Sequence, residues 1–403
     1  MYKHIVSFFI VLLLALSSNA RGQNYTVVIS MDGFRWDYPQ WYETPFIDYV
    51  ASVGVESALI PSFPSKTFPN HYTLATGLYP DHHGIVANKF YDPSTGVFFS
   101  LSNMKSEYNP DYYGGEPIWL TAQKNGIKTA VFYWPGSDVG VKGQHPWFFL
   151  KYDEKPRWSF RKRVDGIVEM LNRPLSDRPR LIMAYFEQPD AYGHNSGPQS
   201  KTTRRAVEEM DALMRDLYIG IKSTHVGDSV NFIMLSDHGM TSLSPDRIID
   251  IKKMLKPQWY EAVEGNVPAN IYVKENCVDS VYECLKNVAH IRVWKKKDIP
   301  PYLHYGSNER VGEVVACPDL GWVFGNELEE WATHGFDPYY SDMHALFRAV
   351  GPDFRHVAMP HFPNVCVYPL LCRLLGIAPS ENDGTPEPME QMLNERARKR
   401  GGE

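Results

Sequence analysis

Four runs of apolar and β-branched residues, at 25–30, 129–133, 181–186 and 231–235, have the length of strands buried on both faces, and three of them lead into an acidic residue: Asp32, Asp190 and Asp237. Unbroken apolar runs alternating with helical stretches predict an α/β fold, a mostly parallel central sheet flanked by helices. In such a sheet functional groups collect in the crevice outside the carboxyl ends of the strands, which is where these carboxylates would gather. Helices are predicted at 69–76, 118–125, 159–171 and 201–221. The last spaces Val207, Met210, Leu213, Met214 and Leu217 along one face, the mark of a covering helix. From about 242 to 318 the pattern changes to short strands (270–273, 291–294, 313–316) around a helix at 279–287, which predicts a smaller inserted α+β subdomain. Residues 386–403, rich in Glu, Pro, Arg and Gly, are expected to form a loosely ordered tail.

The first residues carry a different signal. An apolar run from 5 to 16 follows Lys3 and His4 and leads to Ser18-Asn19-Ala20, so residues 1–20 read as a secretory signal peptide. The run is short for a membrane span and no second run of spanning length follows. The mature chain is therefore expected to lack a transmembrane segment and to be exported, either periplasmic or secreted, with 24–385 as one catalytic domain. Of the 403 residues 43% are hydrophobic and 22% charged, a balance able to fill a large core. The net charge of −6 gives no footprint for duplex nucleic acid and says little about the substrate, and the oligomeric state stays open. Export permits disulfides. Among Cys277, Cys284, Cys317, Cys366 and Cys372 the local pairs Cys277/Cys284 and Cys366/Cys372 are the economical choice, although uninterrupted helix would hold these sulfurs apart. With no Cys-x-x-Cys spacing, a thiolate metal site is not expected.

The candidate chemistry lies at the strand ends. Asp190 and His194 are four apart after Pro189, so one helical turn places carboxylate and imidazole on one face, a metal-pair spacing that exposed polar pairs share. Asp237 and His238 are adjacent, where side chains point to opposite faces unless the chain turns, and Gly239 follows with the freedom to turn. With Asp32 and a hydroxyl at Thr67 they make a donor set of carboxylates and imidazoles without thiolate. That set suits catalytic Zn²⁺, and by ligand type Mn²⁺ or Mg²⁺ as well. Two metals ~3.5–4 Å apart clamp the attacking and leaving oxygens of an in-line displacement at phosphorus. A threonine hydroxyl needs such help, being a weak nucleophile at neutral pH.

Taken in order, Ser30-Met31-Asp32-Gly33, Lys66-Thr67-Phe68-Pro69-Asn70-His71, Thr76-Gly77-Leu78-Tyr79-Pro80-Asp81-His82-His83-Gly84-Ile85, Trp134-Pro135-Gly136-Ser137-Asp138, Glu187-Gln188-Pro189-Asp190, Ser236-Asp237-His238-Gly239-Met240 and Thr333-His334-Gly335-Phe336 resemble the motifs of the nucleotide pyrophosphatase/phosphodiesterase family. That family belongs to the alkaline phosphatase superfamily, and the chain is similar to its short, single-catalytic-domain members. The resemblance implies an alkaline-phosphatase-like fold and two Zn²⁺ per chain, one held by Asp190, His194 and His334, the other by Asp32, Asp237 and His238 with Thr67 beside them. It also implies hydrolysis of phosphodiester or pyrophosphate bonds of nucleotides through a covalent phosphothreonine, with release of a nucleoside monophosphate. Asn88 matches the family's amide donor to a nonbridging phosphate oxygen; by sequence alone it reads as a turn residue. Phe68 and Tyr152 match aromatic positions beside the nucleobase, and Tyr185 and Tyr192 stand near the metal motif as candidate pocket walls; all four read also as packing. His344 is the nearest rival to His334 as a ligand. A sulfatase would need a Cys/Ser-x-Pro-x-Arg context that is not in register here. Two alternatives stay open: a lysophospholipid or choline phosphodiesterase on the same fold, and a catalytically inactive extracellular binding module.

Overall fold

The apolar runs become the strands of the central sheet. In a computed structural model that describes residues 24–400, these are β1 (Tyr25–Met31), β2 (Val55–Ile60), β3 (Thr129–Phe132), β4 (Phe148–Leu150), β5 (Leu181–Phe186), β6 (Val230–Leu235) and β7 (Ala345–Val350). The expected signal peptide lies outside the described residues. The spatial order is β2-β7-β6-β1-β5-β3-β4, with short strands Val357–Ala358 and Phe362–Pro363 alongside β2. β1 runs parallel to both β5 and β6, and β3 is parallel to β5 and β4. β7 is antiparallel to both its neighbours. Its run is broken by Arg348, which hides it from a search for apolar strands. The guanidinium is buried, donating to Ser57 O at 2.7 Å and to Glu56 at 3.0 Å.

Side chains leave each strand alternately, so the sheet is covered twice. Val28, Val131 and Met183 face a core shared with α2 (Thr67–Thr76), α3 (Ile118–Lys124) and α7 (Val367–Leu375). Val27, Ile29 and Met31 face the opposite core with α1 (Pro45–Val53), α4 (Phe160–Asn172) and α6 (Lys201–Ser223). On α6 the buried stripe is Val207, Met210, Met214, Leu217 and Ile221. Each fully buried side chain there contributes about 1.5–3 kcal/mol. Residues 242–318 carry a four-stranded antiparallel sheet (Tyr260–Glu264, Ala269–Val273, Val314–Pro318, Ile291–Lys295) and a helix at Val278–Leu285 around a core of their own. None of the helices among the described residues is long and apolar enough to cross a membrane.

Three expectations need correction. α2 starts at Thr67 and not at residue 69: Pro69 falls in the first turn, where its missing N–H has no intrahelical partner to lose. All five cysteines are free thiols. Cys277 caps the helix that contains Cys284, and seven residues of helix separate sulfur positions by about 10 Å along the axis, well beyond disulfide reach; Cys366 and Cys372 are similarly strung along α7. Residues 386–400 of the tail carry helices α8 (Glu387–Met392) and α9 (Glu395–Arg398). Met389, Met392, Leu393 and Ala397 are buried in the core next to α7, and Arg400 pairs with Asp353 at 2.6 Å. Composition concealed this spacing among charges.

Candidate active site

The register of the parallel strands brings the acidic residues to one edge. Ser30 lies opposite Tyr185 on β5 and Leu235 on β6, so the chain leaves the sheet at the same level before Asp32, Asp190 and Asp237. Gly33 makes the convergence possible. It has φ +65, a Cβ there would stand 2.8 Å from Asp190 Oδ1, and its N–H donates to Asp237 Oδ1 at 3.2 Å. Gly239 works differently from the expected turning freedom: a Cβ there would lie 2.0 Å from Asp342 O, so a close backbone approach excludes any side chain.

α5 (Asp190–Ser196) places Asp190 and His194 on one face, with Asp190 Oδ1 3.4 Å from His194 Nε2. His334 Nε2 lies 3.1 Å from His194 Nε2 and 3.9 Å from Asp190 Oδ1. On the other side His238 Nε2 is 3.0 Å from Asp237 Oδ2 and 3.4 Å from Asp32 Oδ1. The His238 and His334 rings stack at 3.5 Å, joining the two groups into one constellation. Each imidazole commits Nδ1 as donor to a main-chain carbonyl: His238 to Gly239 (2.8 Å), His334 to Ser65 (2.7 Å), His194 to Ala332 (2.9 Å). Nε2 of every ring therefore faces the centre. Asp32 Oδ1, Asp190 Oδ1 and Asp237 Oδ2 are buried and lack a hydrogen-bond donor among the described residues. Donors around a tetrahedral zinc stand about 3.3 Å apart, given metal–nitrogen bonds of about 2.0 Å. The spacings and the orphaned oxygens fit a bound divalent cation in each group, and His238 is within ligand reach of both.

Electrostatics follows from this crowding. Burial, then Asp237 and Asp190, push the Asp32 carboxyl well above the usual range. Burial pushes Asp237 up as well, but His238 and His71 outweigh it and hold the group well below that range. Burial lowers the His334 imidazole, with His238, Lys66 and His194 adding to the effect, which keeps it in the neutral, ligating form. Burial pulls His194 down, yet Asp190 and Glu330 raise it to about 10. Lys66 is lowered to about 8 by burial.

Thr67 opens α2, and its Oγ1 lies 3.0 Å from His238 Nε2. Asn88 Oδ1 accepts from the Phe68 N–H at 3.1 Å, which ties Asn88 to the residue after Thr67. The Phe68 ring is buried against Phe99 and Tyr113. Tyr152 is half-buried, its ring 6.3 Å from Tyr185 and covered by the Arg157 guanidinium at 4.2 Å. Tyr185 donates its hydroxyl to Asp32 Oδ2. Tyr192, two residues past Asp190 on α5, is exposed on the far face and away from the ligands. His344 pairs with His361 through Nδ1 at 2.7 Å and belongs to a different cluster. His71 bridges Thr67 O (2.9 Å) and Ser30 Oγ (2.8 Å). Glu330 was missed altogether. Its Oε2 stands 2.6 Å from His194 Nδ1, and the run Glu327-Leu328-Glu329-Glu330 carries no signal beyond that of a solvated loop.

The architecture and the motifs have counterparts among known proteins. The family profile described as type I phosphodiesterase / nucleotide pyrophosphatase matches residues 26–338. Human ectonucleotide pyrophosphatase/phosphodiesterase family member 5 is 34% identical over 97% of this chain and 83% of its own length. Mouse family member 3 is 35% identical over 91% of this chain, which spans 44% of that longer protein. The structure of murine ENPP5, as an inactive variant in complex with AMP, superposes with a TM-score of 0.87 at 34% identity, covering 92% of this chain and 100% of that one. The chain is a member of the type I phosphodiesterase / nucleotide pyrophosphatase family of hydrolases.

Proposed function

We propose that this protein is an exported, zinc-dependent phosphodiesterase that cleaves phosphodiester or pyrophosphate bonds of nucleotides at Thr67 and releases a nucleoside monophosphate. The observation that carries the reading is the position of Thr67 Oγ1, 3.0 Å from His238 Nε2, at the head of a helix and at the edge of a six-residue ligand constellation. Asp190, His194 and His334 would hold one Zn²⁺, and Asp32, Asp237 and His238 the other. Bound there, the metals supply Lewis-acid stabilisation of charge on the attacking and leaving oxygens. The chain's own groups do the rest. His71 fixes the Thr67 carbonyl and thereby the first turn of α2, whose dipole favours an anion. The Thr67 hydroxyl gives up its proton and attacks phosphorus as the bond to the leaving alcohol or phosphate breaks; water then cleaves the phosphothreonine, restoring the hydroxyl and releasing the nucleoside monophosphate.

Asn88 supplies a neutral donor for a nonbridging oxygen, adequate for a monoanionic diester where a dianion would call for a cation. Asn88→Ala is expected to lower kcat by about 10²–10³-fold with little change in metal content, the usual cost of one such donor; wild-type kcat would remove Asn88 from the reaction. The Tyr152 ring favours a nucleotide over a choline head group. Arg157 sits over the Tyr152 ring at 4.2 Å and Lys155 at 5.9 Å, occupying the kind of ring face a quaternary ammonium requires. AMP in the related murine structure agrees with this preference. The test is a comparison of p-nitrophenyl nucleotide diester with p-nitrophenyl phosphate. The diester should turn over much faster, and the opposite preference sinks the reading.

A further inference from the structure

The two ligand groups differ in charge, and a residue outside both makes up the difference. Asp32 and Asp237 bring two carboxylates to one group, whereas Asp190 is the only carboxylate ligand of the other. The half-buried Lys66 ammonium, near Asp190 and Glu330, offsets part of even that single charge. Beside His194 stands Glu330, with Oε2 2.6 Å from Nδ1. No other ligating histidine of the site has such a partner: His238 and His334 direct Nδ1 to main-chain carbonyls alone. The arrangement is anchored through the backbone. The Trp331 N–H donates to His194 O at 2.8 Å, and Ala332–Thr333 pairs with Thr241–Ser242, so the residue before Trp331 is held beside α5.

We infer that Glu330 is a positioning residue for the metal group formed by Asp190, His194 and His334, supplying through His194 the second negative charge that the group's own ligands lack. Ala332 O already fixes the ring orientation at 2.9 Å, so the contribution of Glu330 is electron density on the imidazole and charge balance at the cation. The other face of Glu330 borders a cavity of about 560 Å³, shared with Asn266, Glu329 and Asn326, and a quarter of its side chain is exposed. Replacing it therefore opens no hole in a packed core.

The inference rests on the reading that each group holds a metal, and the test separates the two. Zinc is titrated into metal-free protein against a competing chelator, following two binding steps by stoichiometry and affinity, with melting curves as a check on folding. Glu330→Gln keeps the shape and removes the charge. It should weaken one step by about 10–100-fold, the usual cost of losing a partner behind a ligand, and leave the other unchanged. Glu330→Asp, shorter but charged, should recover part of the loss. Wild-type protein that takes up no zinc ends the underlying reading and this one with it. Wild-type protein with two sites and a Glu330→Gln variant that titrates identically overturns the role of Glu330 alone.

Discussion

Thr67→Ala is expected to lose turnover by on the order of 10⁴-fold or more, the scale on which removal of a nucleophile acts, while binding the same amount of zinc as wild type. The separation follows from geometry. All six proposed ligands lie outside α2, and their mutual spacings of 3.0–3.9 Å do not depend on the threonine side chain. On the proposed mechanism, removing Oγ1 takes away the group that would become bonded to phosphorus and leaves the constellation that would accept the metals. Thr67→Ser keeps the hydroxyl on the same first turn, and it should retain measurable turnover. Acid quenching during the reaction with a substrate labelled at the cleaved phosphorus should leave label on the wild-type chain and none on the alanine variant. If the alanine variant turns over within tenfold of wild type, or the wild-type chain never carries label, Thr67 is not the nucleophile.

Most of this constellation was legible before the structure because its proposed carboxylate ligands follow the ends of strands. A buried parallel strand advertises itself as an apolar run, and the residue after it must emerge at the carboxyl edge, so Asp32, Asp190 and Asp237 were assigned to one crevice from pattern alone. The i, i+4 spacing of Asp190 and His194 carried similar information. His334 depended on resemblance, since it follows a two-residue strand with no periodicity to read. What sequence did not reveal acts through space. Glu330 reaches His194 across 136 positions of chain, and Tyr185 spends its hydroxyl on Asp32 although it looked like a pocket wall. β7 was hidden for a related reason: a buried arginine satisfied by Glu56 and by a main-chain carbonyl is invisible until its partners are placed. Resemblance pointed to Phe68 as a contact for the base, but the fold gives most of its ring to Phe99 and Tyr113. The tail shows the converse error, in which four apolar residues at helical spacing outweighed a polar composition.

Stripping the metals is expected to abolish activity and to destabilise the protein, with the loss larger at pH 8 than at pH 5. A ligand that binds only the folded chain stabilises it by about 2.7 kcal/mol when held at a hundred times Kd, so two occupied sites are worth roughly 5 kcal/mol. The pH dependence comes from what the carboxylates face without a cation. Burial, with Asp237 and Asp190, raises the folded-state pKa of Asp32 well above its value in the unfolded chain. The folded form then binds a proton that the unfolded form releases, so stability falls as pH rises from the ordinary carboxylate range through the raised value. His194 acts in the same direction. Although burial opposes it, Asp190 and Glu330 raise it from 6.5 to about 10, so its contribution is complete below the lower value and is lost as pH rises through the higher one. Asp237, held low by His238 and His71 against burial, contributes above the ordinary carboxylate range and withdraws only in stronger acid. Protons thus substitute for metal more fully near pH 5 than near pH 8, where added zinc should raise the melting temperature most. Melting curves of chelated and zinc-loaded protein at the two pH values measure this directly. A chelated protein that melts with the zinc-loaded one at both values, or whose deficit is larger at pH 5, would contradict the metal reading of the buried carboxylates.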